Sequence, residues 1–325
     1  MHTRALGLDD QEIVFRQLEP QEREQYIALH RVCFPRMGNN AEQVRWWLFD
    51  DEFRNRTYVL AAGQRLVGAL SFLSMGVKLG DSVRPGAVVS NVMVDPEFRG
   101  RGLFLEINRR CLEWEVQACG TDVVVGRTDQ VKGYLKVGWS SPSKLVYFAR
   151  EPARGVAIPS GVKEIERFDE RFDKLGERFY RGVRFGLIKN ADFLNFRIFR
   201  KPGVRYAVYA PWGPAGEPEG YIVLKKFHDP EQRISKCHVI DIVALDYATF
   251  SSLMDCAESR YGDCAEINVL QPDGSVYEAF LMQRGFGRGS SYNQDENLIF
   301  FDAGKSKVGI PADRRHYVIA DDESW

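Results

Sequence analysis

The alternation of apolar and polar positions divides the first 150 residues into short strands and amphipathic helices. Apolar residues at helical spacing predict helices over 20–33, 41–53 and 103–119, with a short helix closing at 134–139. Alternating or continuous apolar runs predict strands at 13–18, 57–63, 64–80, 87–94, 122–127 and 144–150. The run 87–94 is almost wholly apolar, which is typical of a strand buried on both faces. The order of these elements predicts an α/β domain.

The rest of the chain has a similar pattern. The segment 151–161 is rich in Pro and Gly and predicts a linker. Beyond it the pattern predicts helices at 163–182, 190–199 and 249–262, a helix and turn at 275–287, and strands at 204–210, 219–227, 236–244, 265–271 and 297–303. Segments 122–139 and 265–287 share a strand, a polar turn, a short helix and a Gly-aromatic pair, which indicates an internal duplication. We predict domains at 1–150 and 162–304, a linker at 151–161 and a tail at 305–325.

Composition excludes several classes of protein. A chain of 325 residues is too long for one ordinary core, which favours two domains. With 44% hydrophobic and 27% charged residues and a net charge of −1, it is typical of a soluble protein without a basic nucleic-acid surface. No apolar run is long enough to span a bilayer, and the N-terminus lacks the apolar core of a signal peptide. We expect a cytoplasmic monomer or homodimer with neither membrane nor nucleic-acid partner.

Cysteine and histidine spacing argues against a metal centre. The six cysteines include no CxxC pair and the five histidines are scattered. This pattern favours neither a zinc site nor a disulfide framework, so we expect reduced thiols, as in a cytoplasmic protein, and no metal.

The turn 95–102, DPEFRGRG, is the first candidate for chemistry. It joins a buried strand to a helix, and Gly100 and Gly102 allow the backbone to turn tightly and to approach a ligand. The amides of residues 100–104 and the start of the helix then form an anion site, to which Arg99 and Arg101 add positive charge. From physics alone, a plain strand-to-helix turn remains an equal alternative.

Two motifs resemble the GNAT superfamily of acyl-CoA N-acyltransferases. The segment 92–104, VMVDPEFRGRGLF, resembles motif A, although Phe104 stands where the family normally has Gly or Ala. The segment 133–139, GYLKVGW, resembles motif B, commonly LYEKLGF. The positions in register are Val94, Pro96, Arg99, Gly102, Tyr134, Lys136, Gly138 and Trp139.

The resemblance implies two GNAT-like domains, each a central, mixed, mostly antiparallel sheet flanked by helices. The second is a degenerate copy, because no RGxG turn follows the strand in 238–246, and it would shape the acceptor site. The co-substrate would be acetyl-CoA or another short acyl-CoA. The implied CoA-binding residues are Val92, Met93, Val94, Arg99, Gly100, Arg101, Gly102, Leu103 and Phe104.

The same resemblance implies a mechanism of direct attack by an amine. The backbone N–H of Val92 or Met93 would polarise the thioester carbonyl. Tyr134 occupies the family's general-acid position and would protonate the leaving thiolate. The base is open between Asp129, near a strand end, Asp241, inside an apolar strand where an unpaired carboxylate is costly, and a chain of waters. We interpret His30 and His238 as packing or surface residues.

The predicted function is transfer of an acyl group, with acetyl the leading choice, to a primary amine. We favour an amino sugar or a nucleotide-linked amino sugar, because 190–199, NADFLNFRIF, resembles a segment of tandem GNAT-like proteins in amino-sugar pathways. Peptide, protein or aminoacyl-type N-acylation is the alternative, and a non-catalytic CoA-binding module is the second. The acidic tail is either solvated or folded back to offer carboxylates to an amine; its residues are Asp321, Asp322, Glu323 and Trp325.

Overall fold

The computed structural model describes residues 6–8, 11–35, 41–49, 55–229, 232–289, 296–304 and 309–321. In this part of the chain, sixteen strands join one mixed, mostly antiparallel sheet that helices flank. The strands are β1 (Leu6–Leu8), β2 (Gln11–Gln17), β3 (Arg56–Ala62), β4 (Arg65–Leu79), β5 (Ser82–Val94), β6 (Val123–Thr128), β7 (Ser140–Arg150), β8 (Val162–Glu164), β9 (Phe185–Ile188), β10 (Ala207–Pro211), β11 (Gly220–Asp229), β12 (Ile234–Ala244), β13 (Glu266–Pro272), β14 (Gly287–Arg288), β15 (Glu296–Asp302) and β16 (Arg315–His316).

Eight α-helices accompany these strands. They are α1 (Arg23–Cys33), α2 (Ala41–Phe49), α3 (Leu103–Ala118), α4 (Val131–Leu135), α5 (Glu170–Arg181), α6 (Ala191–Leu194), α7 (Tyr247–Tyr261) and α8 (Glu278–Gln283). A short 3₁₀ turn, Pro20–Glu22, precedes α1, and a π-helical turn, Asn195–Phe199, follows α6. None of the described helices is both long and apolar enough to cross a membrane.

Strand β3 shows how the core lies on both faces of the sheet. Tyr58 and Leu60 pack into the cluster beneath α3. Val59 and Ala61 belong to the other cluster, which includes α1 and continues into residues 162–304, which we call the second half. Successive side chains of a strand point to opposite faces, so one apolar strand supplies both layers. This arrangement explains the nearly continuous apolar runs in the sequence.

Two crossovers set the polarity of the sheet. Helix α3 joins β5 to β6, and α7 joins β12 to β13, and each of these two strand pairs is parallel. Parallel neighbours need such a crossover, whereas the antiparallel pairs β4–β5 and β11–β12 beside them follow each other directly along the chain. Each half therefore contains a strand–helix–strand unit of the same form.

The strand order has matching halves around its centre. Along the main path it is β1-β2-β3-β4-β5-β6-β15-β7-β13-β12-β11-β10-β8. Strands β15 and β7 lie in the middle, with β6 and β13 on either side, then β5 and β12, then β4 and β11. This match supports the predicted duplication, which stays a prediction.

Strand β15 lies away from the place that its sequence position suggests. We predicted it as the last strand of 162–304, but it pairs with β6 and β7, with Asn297 opposite Thr128 and also opposite Lys144. Strand β7 in turn pairs with β13. The predicted segments 1–150 and 162–304 therefore contribute strands to each other's part of the sheet, and their boundaries remain a prediction about sequence.

Some predicted elements were wrong in detail. The helix predicted at 163–182 begins only at Glu170, where the Asp169 side chain caps it by accepting from the Arg171 amide, and β8 precedes it. Strand β9 was not predicted. It has four residues and depends on pairing with distant residues 76–79 of β4, which no local pattern reveals.

Candidate functional site

A divergence between two parallel strands forms the candidate site. Strands β5 and β6 pair from Gly86 opposite Val123 to Val88 opposite Val125, after which β5 runs on to Val94 along β4, and β6 to Thr128 along β15. The β4–β5 register shifts between Ala69 and Ser71, and Asn91, opposite this shift, has a φ of 50°. A bulge of this kind bends a strand and re-aims its groups. It lies directly before Val92, the first predicted CoA-binding residue.

The turn after β5 leads into the start of α3. Asp95 accepts a hydrogen bond from the Glu97 amide at 3.0 Å and pairs with Arg65 at 2.7 Å. Gly100 and Gly102 have φ angles of 77° and 80°, in the region that favours glycine. A Cβ atom on either glycine would meet nothing within 4 Å, so open space lies before this backbone.

The N-terminus of α3 fits an anionic ligand. Gly102 is the N-cap residue and provides no side-chain cap hydrogen bond, and the helix begins at Leu103. Uncapped amides and the positive end of the helix dipole attract phosphate groups. Arg99 donates to the Val94 carbonyl at 3.1 Å, and the guanidinium of Arg101 lies 5.3 Å from the Phe98 ring centroid. These residues fit the pyrophosphate role predicted for them.

A cavity of about 900 Å³ opens beside this turn. It brings four of the predicted CoA-binding residues together with Asp129, a predicted catalytic residue. The lining residues are Val92, Val94, Arg99, Phe104, Asp129, Gln130, Val131, Lys132, Gly133 and Asn297. Asn297 was missed by sequence reasoning, because only the insertion of β15 beside β6 brings it here.

Tyr134 lies against the wall of this cavity. Its neighbour Gly133 and Phe104 both line the cavity, and the rings of Phe104 and Tyr134 meet edge to face with centroids 5.1 Å apart. Tyr134 is buried, and this burial, with a further contribution from the charge of Asp129, raises the pKa of its hydroxyl well above the usual value. The hydroxyl therefore stays protonated at neutral pH, as a proton donor must.

His30 on α1 lies close to the strand bulge. The side chain is buried, and burial lowers the pKa of His30 while its interaction with Asn91 partly raises it. Its ring contacts Phe34 at 5.0 Å. We interpreted His30 as a packing or surface residue, and the structure buries it near Asn91.

Asp241 does not line this cavity and lies among buried residues of β11, of β16 and of the position directly after β9. Its carboxylate is fully buried, 2.8 Å from the Lys189 ammonium and 3.2 Å from the Tyr221 hydroxyl, with His316 at 4.0 Å. Burial and the charge of Lys189 lower the pKa of His316. Asp241 is thus a buried, paired group far along the chain from Tyr134, whereas Asp129 lines the cavity and its charge acts on Tyr134.

His238 is also a buried group of the second half. Its Nδ1 lies 2.6 Å from the Asn268 side-chain oxygen, and burial lowers its pKa to about 4. No cluster of three or more potential metal ligands occurs within the described ranges.

The chain itself fills the second divergence. Strands β12 and β13 pair only from Lys236 opposite Glu266 to Val239 opposite Val269. Beyond this pairing, 315–321 passes between their ends, where the Arg315 carbonyl accepts from the Val276 amide at 3.0 Å and His316 reaches Asp241. Residues 317–320 are completely buried. The proposed tail residues Asp322, Glu323 and Trp325 lie outside the described residues, as does the side chain of Asp321.

Comparisons with known proteins point to one family. Residues 14–141 match the acetyltransferase (GNAT) domain family. A comparison with curated protein sequences finds no match.

Solved structures share the fold across most of the chain. A GCN5-related N-acetyltransferase from Anabaena variabilis is similar with a TM-score of 0.71 and 16% identity, over 89% of this chain and 72% of that one. One from Kribbella flavida has a TM-score of 0.61 and 16% identity, over 89% and 71%. The N-myristoyltransferase of Saccharomyces cerevisiae, solved with myristoyl-CoA, has a TM-score of 0.65 and 11% identity, over 92% and 80%.

Proposed function

We propose that this chain, whose residues 14–141 match the acetyltransferase (GNAT) domain family, transfers an acetyl or other short acyl group from acyl-CoA to a primary amine. The observation that carries the proposal is the divergence of β5 and β6 beside the uncapped start of α3. Both features lie beside one cavity, which supports an anion site next to a strand edge that no neighbouring strand covers.

The CoA-binding role is divided between the turn and the strand. The amides from Gly100 to Phe104, with Arg99 and Arg101, hold the pyrophosphate, because both the helix dipole and the side-chain charges are positive there. The backbone of Val92–Val94 lies beyond the last β5–β6 pair and holds the pantetheine arm. The N–H of Val92 or Met93 donates to the thioester carbonyl and stabilises the oxyanion that develops during attack.

Tyr134 donates the proton that the leaving sulfur takes up. A neutral phenol is required for this step, and a phenol with the ordinary pKa of about 10 is already neutral at pH 7. Burial raises the pKa of Tyr134 further, so the proton is transferred only as negative charge develops on the sulfur. Asp129 accepts the proton that the amine loses, either directly or through water, and its charge reaches Tyr134. One proton leaves the nitrogen and one reaches the sulfur, so the two residues together balance the reaction.

Asp241 has an indirect role in this proposal. Its carboxylate already neutralises Lys189 and accepts from Tyr221, so it holds the second half together rather than contacting the amine. The second half acts on the site through β15, which brings Asn297 to the cavity.

An amino sugar or a nucleotide-linked amino sugar is the proposed acceptor. Asp129 offers a negative charge to an ammonium group, and Gln130 and Asn297 offer amide groups that can hydrogen bond to sugar hydroxyls. The cavity of about 900 Å³ has room for such a molecule beside the pantetheine arm.

A thiol-release assay tests the proposal. The purified chain is supplied with acetyl-CoA, or with longer acyl-CoAs, and with a panel of amino sugars, nucleotide-linked amino sugars and peptides. We expect turnover with at least one amino sugar, with the N-acylated product identified by mass spectrometry. Turnover on peptides alone would refute the proposed acceptor, and CoA binding without turnover on any amine would indicate a binding module.

A further inference from the structure

Phe104 and Gly133 meet in an unusually close contact. Phe104 lies in the first turn of α3 and Gly133 lies in α4, directly before Tyr134. A Cβ atom on Gly133 would lie 2.6 Å from Cε1 of Phe104, and 3.2 and 3.3 Å from two further ring atoms. No side chain fits at position 133 while the Phe104 ring stays in place. The ring thus fills the space that any other residue at 133 would use.

Compared with the two family motifs, the large side chain stands at position 104 instead of position 133. Phe104 stands where motif A normally has Gly or Ala, and Gly133 stands where motif B commonly has Leu. Each change alone departs from the family pattern, but together they conserve volume, which packed cores tolerate best. Phe104 is therefore one half of a compensated pair rather than a sign of a lapsed site.

With Phe at position 104, an aromatic ring contacts Tyr134 from the side of α3. The Phe104 ring meets the Tyr134 ring at 90° with centroids 5.1 Å apart, and Trp139 meets it from another side at 79° and 5.3 Å. Trp139 in turn contacts Phe301 of β15 at 6.0 Å. Edge-to-face contacts on two sides fix the plane of a ring.

We propose that Phe104 is a positioning residue for Tyr134, and that Gly133 exists to make room for it. This inference rests on the proposed function, in which the Tyr134 hydroxyl protonates the leaving sulfur. Phe104 both lines the cavity and contacts the Tyr134 ring, so one side chain joins the cavity wall to the proton donor.

A set of paired variants tests the proposal in the 325-residue chain. Phe104→Ala frees the Tyr134 ring, so we expect kcat to fall about tenfold, which is the effect of losing one aromatic contact. The KM for acetyl-CoA should change less than about twofold. Gly133→Ala is expected to lower kcat in the wild-type background, because its Cβ displaces the Phe104 ring. Gly133→Leu in the Phe104→Ala background restores a family-like pair, and we expect it to recover most of the lost kcat.

Two further readouts separate positioning from general damage. Phe15→Ala removes a ring that stacks on Tyr58 at 5.8 Å, away from Tyr134, and should leave kcat unchanged. The difference in near-ultraviolet absorbance between each protein and its Tyr134→Phe counterpart reports the surroundings of the phenol at neutral pH. Tyr134 is buried, so Phe104→Ala should shift this absorbance toward that of a solvated phenol, and Gly133→Leu in that background should shift it back.

The outcomes distinguish the inference from the function beneath it. If wild-type protein acylates no amine while the Tyr134 absorbance still follows the paired variants, the proposed function fails and the positioning of Tyr134 stands. If wild-type protein is active, additive effects of positions 104 and 133, or an unchanged kcat and Tyr134 absorbance in Phe104→Ala, would overturn the inference.

Discussion

The two places where parallel strands diverge have the same architecture and opposite properties. Between β5 and β6 the next helix begins behind Gly102, which offers no side-chain cap, and a cavity lies beside it. Between β12 and β13 the next helix begins behind Asp246, whose carboxylate accepts from the Thr249 amide at 2.8 Å. A carboxylate at the helix start occupies and neutralises the position that a phosphate needs.

The space between the two strands also differs between the two places. The first divergence is open at the cavity, whereas the second is filled by the chain's own residues 315–321. Gly274 makes this filling possible, because a Cβ at that position would clash with the Ala312 carbonyl. One fold element thus gives a ligand site or a packed core, depending on the helix cap and on what enters the gap.

The largest expected effect comes from adding charge at the open site. Gly102→Glu places a carboxylate at a φ of 80° before the helix amides, and repulsion should weaken CoA binding at least about a thousandfold. Calorimetric titration measures this, and Gly102→Ala serves as a control that adds a Cβ without charge. If Gly102→Glu bound CoA with a dissociation constant within tenfold of wild type, the pyrophosphate would not bind at this turn.

The buried pair of the second half should govern stability. Asp241→Asn leaves the Lys189 ammonium buried without its counter-charge, and we expect a loss of about 3–5 kcal/mol in the free energy of unfolding. Urea denaturation measures this loss. In Lys189→Met with Asp241→Leu, the stability should largely return. A stable Asp241→Asn protein with lost turnover would instead give Asp241 a part in catalysis.

Tyr134 should affect chemistry rather than binding. Tyr134→Phe removes the proton donor but keeps the ring between Phe104 and Trp139, so kcat should fall about a hundredfold. The dissociation constant for CoA should stay the same. Steady-state kinetics measures kcat, and titration calorimetry measures the dissociation constant for CoA. An unchanged kcat would rule out the general-acid role.

The smallest expected effect is at the second helix cap. Asp246→Ala removes one capping hydrogen bond and should lower the free energy of unfolding by about 1 kcal/mol. Thermal unfolding measures it. CoA affinity and kcat should not change, and a change in either would show that the second divergence communicates with the site.

The sequence predicted the site where its signals are local. The apolar run of β5, the glycines of the turn and the helical spacing of α3 are adjacent in the chain, so the strand, turn and helix were all predicted. Asn297 and His30 reach the site only through β15 pairing beside β6 and through α1 packing near Asn91. A pattern of apolar positions identifies a strand but not its partner, so these residues could not be found.

The departure at Phe104 shows the same limit. From sequence it weakened the match to motif A, because the compensating Gly133 is 29 positions away by residue number. Only the packing of α3 against α4 shows that the two changes belong together. The Gly133 position itself carried the signal, since a glycine before Tyr134 departs from motif B as well.

The central claim is that only the first divergence binds CoA. A crystal structure of the 325-residue chain with acetyl-CoA, together with the binding stoichiometry from calorimetry, tests it most directly. We predict one CoA per chain, with its pyrophosphate at the amides of Gly100–Phe104 and its pantetheine along Val92–Val94. A CoA bound between β12 and β13, or none at the start of α3, would contradict this account.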